Sequence, residues 1–446
     1  MLVYAVTRIV FLCSALIAGL SAHQPCAARS LGKNLVVCVC NSTYCDDVES
    51  VGDLRPGQAV EYYSDQSGSR LEKSNLRQSA NRAGLQYTIG RVPMASTDFS
   101  TREYGYADTP GDFALANFSL TMEDYQYKVA WMKTNGHMKG GGKLRGEEGG
   151  EYYKTWANYF VRFFEEYHRN GIDFWGTTIQ NEPTSGLNPD YGWQTMYLSA
   201  AMERDFVKNL LGPALKSSPY AKDLAVMIND DQRYNLPEWA DTILNDTEAA
   251  NYIAGIAIHW YEDLEVPASV LTTTHNRHPD YFMLATEACN GYLPLQGKPI
   301  LGDWARAETY INDIVADVSN WVAGWMDWNL CLDMQGGPNW VKNFVDSPII
   351  VDASKQEYYK QPMWYALGHF SKFVRPDSYR IQSQFESSAP NGIKELAFVT
   401  PNGHRVVVIA NTDSKAQVIA INEAQNLGMY YNVNLAAHSI ATVIMN

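Results

Sequence analysis

Two apolar, β-branched runs in this chain end in a glutamate. Phe174-Trp175-Gly176-Thr177-Thr178-Ile179 leads to Glu182, and Tyr281-Phe282-Met283-Leu284-Ala285 leads to Glu287. From about Asp173 such runs alternate with amphipathic segments, the signature of βα units. In a (β/α) barrel the working side chains collect at the carboxyl ends of the strands, so glutamates about one hundred residues apart in the chain can meet there. Two carboxylates in that position suit glycoside hydrolysis. Breaking an acetal near neutral pH needs one carboxylic acid to protonate the leaving oxygen and one carboxylate facing an oxocarbenium-like carbon. Glu182 stands in Asn181-Glu182-Pro183, where proline stops the strand and the amide can hold a sugar hydroxyl. Glu287 stands in Thr286-Glu287-Ala288-Cys289. Either glutamate alone would read as a surface or helix-capping residue; the strand context and spacing give the pair its weight.

Candidate barrel strands are Tyr87 to Val92, Phe174 to Ile179, Leu224 to Ile228, Ile256 to Trp260, Phe282 to Thr286 and Val322 to Asp327. Trp156, Phe160, Phe163 and Phe164, at helical spacing within Tyr153 to Tyr167, predict a helix whose aromatic stripe packs on the barrel. Leu396 to Val399, Val406 to Ala410, Gln417 to Ile421 and Ile440 to Ile444 are short runs separated by Asn-Gly and polar turns. They predict a closing β-sandwich.

The 446 residues suffice for one large barrel and a smaller domain, and 46% hydrophobic with 19% charged residues excludes a disordered chain. A net charge of -14 argues against nucleic-acid binding, which wants a basic face. It suits an acidic compartment, where carboxylates gain protons and self-repulsion falls. Arg8, the apolar run Ile9 to Leu20 and small residues to Ala22 read as a cleaved secretory signal over residues 1–22, too short to span a bilayer that needs about 20 apolar residues. A soluble lumenal or secreted protein is the expectation. Of seven cysteines, Cys26, Cys38, Cys40 and Cys45 crowd the start of the mature chain, where an oxidising route would pair them in one of three connectivities. Cys289 and Cys331 read as buried free thiols, and Cys13 leaves with the signal. Asn41, Asn117 and Asn245 head glycosylation sequons.

Gly140-Gly141-Gly142-Lys143 lacks Walker spacing and reads as a surface loop. Asp46-Asp47 and Glu147-Glu148 read as solvated faces, whereas Asp230-Asp231 follows a strand at the barrel rim. None of the nine histidines falls in a metal-binding spacing, and the chemistry calls for no metal and no cofactor.

Longer strings carry more. Arg91-Val92-Pro93-Met94-Ala95-Ser96, Tyr106-Ala107-Asp108-Thr109-Pro110, Asp230-Asp231-Gln232-Arg233, His259-Trp260-Tyr261, Gly336-Gly337-Pro338-Asn339-Trp340 and Phe344-Val345-Asp346-Ser347-Pro348-Ile349-Ile350 resemble glycoside hydrolase family 30, in its acid glucosylceramidase branch. The resemblance runs from about Cys26 to the C-terminus. It implies an α/β fold: a (β/α)8 TIM-type barrel with a β-sandwich domain and a small disulfide-bonded N-terminal sheet. The implied division is 23–50 pairing with about 331–361, 51–74 joining the β-sandwich, 75–375 as barrel and 376–446 as C-terminal sandwich. It pairs Cys26 with Cys38 and Cys40 with Cys45. Glu182 becomes the general acid/base and Glu287 the nucleophile of a retaining reaction on glucosylceramide. Asp98, Asn181, Asp327, Trp328 and Asn343 match sugar-binding positions, Tyr261 a mobile rim residue, and Trp193 an entrance residue. Arg91 stands where it would favour an ionised Glu287, with Gln232 and His259 as orienting neighbours. The implied partners are a membrane surface bearing the glycolipid and a saposin-type activator, and the implied destination is the lysosome. Alternatives are another family 30 β-glycosidase or a truncated, non-catalytic homologue.

Two segments of the family pattern are missing. Leu71-Glu72-Lys73-Ser74 runs into Asn75 where the family has a Gly-Phe-Gly-Gly-Ala-type strand and its helix, and between Lys128 and Val129 a strand ending in Ser-Pro-Trp is absent. Only a tail, Trp131 to Gly136, remains. The expected barrel is therefore short of two βα units, each on the order of 30 residues.

Overall fold

The computed structural model describes residues 2–3, 23–54, 58–74, 85–125, 141–386, 388–423 and 430–446. The leader run Ile9 to Leu20 with Cys13, the step from Ser74 into Asn75, the step at Lys128–Val129, the tail Trp131 to Gly136 and Gly140 lie outside the described residues.

Six parallel barrel strands stand among the described residues: β1 (Gly90–Arg91), β2 (Gly176–Thr178), β3 (Ala225–Gln232), β4 (Gly255–His259), β5 (Phe282–Glu287) and β6 (Val322–Trp325). Pairing runs β6-β5-β4-β3-β2, and a two-residue antiparallel piece, Leu2–Val3, lies between β2 and β1. Between β1 and β6 no ladder forms among the described residues. Among the described residues the barrel is thus open between β1 and β6 and bridged by two residues between β1 and β2, the two places where the sequence lacks a strand of the family pattern. β3, β4 and β5 are buried almost throughout, as strands covered on both faces must be. Helix α1 (Glu151–Arg169) lays Tyr153, Phe160, Phe163, Phe164 and Tyr167 on this sheet as the aromatic spacing predicts, while Trp156 stacks on Phe206 at 4.1 Å.

Two further sheets flank the barrel. The sandwich sheet runs Tyr379–Ile381, Ile393–Val399, Arg405–Asn411, Ser439–Met445, Ala59–Asp65, Glu72–Ser74, its last two strands coming from the N-terminal part of the chain. A second layer, Gln417–Ile421 with Tyr431–Leu435, buries Val433 and Leu435 against that sheet. The five-stranded sheet joins Ala28–Gly32 and Leu35–Asn41 to Glu357–Lys360, Ile349–Asp352 and Cys331–Asp333. Disulfides Cys26–Cys38 and Cys40–Cys45 staple it, in the pairing the resemblance implies. Helix α2 (Trp304–Ser319) backs β6, and helix α3 (Pro362–Ser371) links barrel and sandwich.

Two expectations are corrected here. Cys331 is exposed, because on its edge strand the alternation turns Leu332 inward and Cys331 and Asp333 outward. Asp46 is buried rather than solvated: Lys360 Nζ lies 3.1 Å from its Oδ1 and the Tyr365 hydroxyl donates to its Oδ2 at 2.7 Å. Cys289 is buried and free as expected, and Glu147 and Glu148 are exposed.

Candidate active site

The strand ends bring the paired glutamates together. Each end is bent to do so: β3 shifts register against β4 between Asn229 and Asp231, and β5 shifts between Ala285 and Glu287. Such bulges re-aim side chains at barrel rims. Glu182, Asn229 and Asp230 all take left-handed backbone, with φ of 44°, 72° and 49°. Non-glycine residues hold that conformation at a cost of about 1–3 kcal/mol each and do so mostly at functional sites. The Glu182 N–H donates to Asp230 O at 2.8 Å, locking the two strand ends to one another.

Arg91, at the end of β1, is the hub. Its Nη1 donates to Glu287 Oε2 at 2.5 Å, and its Nη2 to Asp230 Oδ2 at 2.8 Å and Asn181 Oδ1 at 2.9 Å. The Arg91 guanidinium also lies 5.8 Å over the Trp328 ring. Glu287 accepts on its other oxygen from the Tyr261 hydroxyl at 3.0 Å. Around Glu182 the set is different: His259 Nδ1 and Gln232 Nε2 stand 3.1 and 3.4 Å from Oε1, and the Tyr191 hydroxyl donates to Oε2 at 3.1 Å. One carboxylate oxygen of Glu182 and one of Glu287 lie within 4.8 Å of each other, with His259 inside the same radius.

Charge is arranged to match. Burial alone would raise Asp230, but Arg91 and the His259 hydrogen bond outweigh it and hold its carboxyl well below the usual range. Burial would lower His259; the charge of Glu287 and hydrogen bonds to Asp230 and Glu182 raise it to about 10 instead. His259 is therefore an imidazolium, donating from both nitrogens. Burial and the nearby Glu182 charge lift Asp231 to about 6, although Thr184 donates twice to it. Burial lifts Asp327 to about 8, leaving it neutral in acid.

Asp98, Asn181, Tyr191 and Trp193 line one cleft beside the pair, together with Gln180 and Gln194. Asp98 is buried, and its Oδ2 accepts from Asn343 Nδ2 at 3.1 Å and Asn339 Nδ2 at 3.2 Å. Every predicted site residue but one thus falls at the pair or at this cleft. Asp327 differs: its Oδ1 accepts from its own chain, at Asn329 N, and its carboxyl is buried against the Tyr310 hydroxyl of α2. Tyr191, Thr286 and Asn339 escaped the sequence reading. Thr286 Oγ1 supports Asp230 at 2.9 Å, and its place beside Glu287 was the signal available for it. Asn41, Asn117 and Asn245 are all exposed.

The glycosyl hydrolase family 30 TIM-barrel model matches residues 64–132 and 129–374, and that family's β-sandwich model matches 377–443. The two barrel pieces meet at the Lys128–Val129 step. The putative glucosylceramidase 4 of Caenorhabditis elegans is 44% identical over 92% of this chain and 93% of its own length. The lysosomal acid glucosylceramidase of Mus musculus is 38% identical over 94% of this chain and 95% of its own. A solved structure, SrfJ from Salmonella typhimurium, superposes with a TM-score of 0.69 at 27% identity, over 79% of this chain and 80% of that one. The Caenorhabditis alignment is 484 positions long but takes up 92% of 446 residues, about 410. About 70 positions therefore face gaps in this chain, close to two βα units of about 30 residues each.

Proposed function

The chain belongs to glycosyl hydrolase family 30, and on that premise we propose that it is a retaining β-glucosidase that cleaves glucosylceramide to glucose and ceramide. The observation that carries the reading is the approach of Glu182 and Glu287 to within 4.8 Å. A retaining enzyme holds its carboxyls about 5–5.5 Å apart, whereas an inverting one needs about 6.5–9.5 Å to seat a water between them.

In this reading Glu287 attacks the anomeric carbon while Glu182 protonates the departing ceramide oxygen. Water then attacks the glycosyl-enzyme with Glu182 as base, and Glu287 is released. Arg91 favours the ionised nucleophile, since a guanidinium against a carboxylate stabilises its charge. With Oε1 of Glu182 facing His259 and Gln232, Oε2 is the atom that carries the transferable proton, next to Tyr191. Arg91 holds Asn181 by its oxygen and so leaves the amide nitrogen to meet a sugar hydroxyl. Asp98, fixed by two asparagines, lines the cleft where the sugar's edge would lie, and Trp193 and Trp328 supply flat apolar surface for its C–H faces.

No helix among the described residues is long and apolar enough to cross a membrane. The two disulfides and three exposed sequon asparagines support passage through the secretory route, and the names of the relatives support a lysosomal destination and glucosylceramide as substrate. Thin-layer analysis of products from glucosylceramide micelles, with the two missing units restored, tests the substrate. Glucose and ceramide are expected. Turnover confined to other β-glycosides would reject it.

A further inference from the structure

Behind the rim residue Tyr261 lies a buried knot of charge that the reaction above does not use. Arg233, directly after β3, grips the loop 260–266 with all three guanidinium nitrogens. Its Nε donates to Val266 O at 2.8 Å, and its Nη2 to Asp263 O at 2.6 Å and Val266 O at 2.5 Å. Its Nη1 donates to Asp263 Oδ2 at 2.5 Å. From the far side Asp313 and Asp317, one turn apart on α2, close on the same point. One oxygen from each of the three carboxyls lies within 4.8 Å of the others. Trp325 Nε1, at the end of β6, donates to Asp313 Oδ2 at 2.7 Å, and Arg233 Nη1 stands 3.7 Å from Asp317 Oδ1.

Three carboxylates against one guanidinium would leave two uncompensated charges in the interior, which is costly. The geometry shows how that is avoided. Asp263 Oδ1 and Asp317 Oδ1 are buried and have no hydrogen-bond partner as carboxylate oxygens. A proton turns such an oxygen into a donor, and Asp263 and Asp313 are close enough to hydrogen-bond each other. We propose that Arg233, Asp263, Asp313 and Asp317 form a proton-held clasp that positions Tyr261 on Glu287: closed while the three carboxyls share protons, loosened as those protons are lost.

The chemistry agrees in sign. Burial first, and then the neighbouring carboxylates acting on Asp263 and Asp317, raise all three acids, while Arg233 opposes. In the open loop they return to the ordinary aspartate range near 4, so above that pH the closed form binds more protons and loses stability as pH rises. Other ionisable groups nearby are Glu262 and Glu265 on the loop itself, Tyr292, Cys289 with its Sγ 3.5 Å from the Tyr261 hydroxyl, and Glu182, whose charge reaches Tyr261 and Glu262. The Tyr292 phenol feels Asp263, Asp313 and Glu262, and its hydroxyl donates to Tyr261 O at 3.1 Å. The helix Ser269–Arg277, packed against Arg233–Asn235, turns His275 onto Trp321 and Arg277 onto Asp241. Asp263 is two residues from Tyr261, so slack in the clasp reaches the hydroxyl on the nucleophile directly.

The role given to Tyr261 rests on the proposed reaction, but the clasp is read without turnover. Amide hydrogen exchange of residues 260–266 is measured in the full chain from pH 5 to pH 7.5, with the intrinsic rate divided out. The opening constant is expected to rise about tenfold per pH unit for each proton the closed form holds in excess. In an Asp313→Asn/Asp317→Asn double variant, neutral at every pH, the profile should be flat, while amides of Arg405–Asn411 behave alike in both proteins. If the double variant is unfolded at pH 5, Asp317→Asn alone is read the same way and should show a shallower slope. A flat profile in the parent chain, an unchanged slope in the variant, or slowing of loop exchange by millimolar calcium at pH 7.5 would overturn the clasp, the last because the carboxyls would then hold a cation. In a chain with the two missing units restored, absent glucosidase activity with the slope intact would count against the proposed reaction and leave the clasp standing.

Discussion

Glu182 and Glu287 carry one functional group and do different work because different neighbours stand on them. A cation and a phenol face Glu287, while an imidazolium, an amide and a phenol face Glu182. In a chain with a complete barrel, Glu287→Gln should abolish turnover for every leaving group. Glu182→Gln should lose about 10²–10⁴-fold on poor leaving groups yet spare the glycosylation step of a dinitrophenyl glucoside, which needs little protonation. Pre-steady-state bursts with the two substrate classes check this; equal losses in both variants would reverse the assignment. These residues were legible because barrel logic points to strand ends, where Arg91, Gln232, His259, Tyr261 and Glu287 all stand. Tyr191 was not: it lies in an irregular loop nine positions past Glu182, with no period to mark which way it faces. Asp46 was misread because the Lys360 and Tyr365 that bury it come more than 300 residues later in the chain.

Helix α3 shows how one element can set a pH limit. His369 is fully buried on it, with Nδ1 2.8 Å from Thr442 Oγ1 and Nε2 2.9 Å from Ser64 Oγ, so it pins the helix to two strands of the sandwich sheet. Burial lowers its pKa to about 3. The unfolded chain takes up a proton below about 6.5 that the folded chain refuses, so this group's contribution falls as pH drops from there towards 3. The expected loss from this residue between pH 7 and pH 5 is about 2 kcal/mol. Urea midpoints of the parent and His369→Gln should draw together as pH falls from 7 to 5; a constant gap would refute the assignment. At this scale position was legible where a strand alternates: Gln417–Ile421 agrees to the residue and three further expected strands to within three residues at each end, whereas Tyr379–Ile381 and Tyr431–Leu435 were not expected. The partners of Leu35–Asn41 escaped periodicity altogether, because pairing with a strand at Glu357–Lys360 leaves no mark in either segment. Only the family resemblance supplied it.

At the scale of the molecule, the barrel formed by the described residues is unfinished. Six of its strands stand among the described residues, β1 and β6 do not pair, and Leu2–Val3 fills one position between β1 and β2. Those two residues belong to the segment read as a cleaved signal, so processing would reopen that gap as well. Open strand edges and lost packing layers are large against the ~5–15 kcal/mol that holds a domain together. Catalytic groups must also be held within about 0.5 Å of productive geometry. The 446-residue chain should therefore show negligible β-glucosidase activity near pH 5, with much greater activity once the missing units are restored. The most direct test treats both proteins with a 2-deoxy-2-fluoro-β-glucosyl fluoride, which lets a retaining nucleophile form its glycosyl ester but slows hydrolysis, and maps the label by mass spectrometry. One fluoroglucosyl group is expected on Glu287 in the restored protein and almost none in the 446-residue chain. Label on any other residue, or equal labelling of a cooperatively folded 446-residue chain, would contradict it.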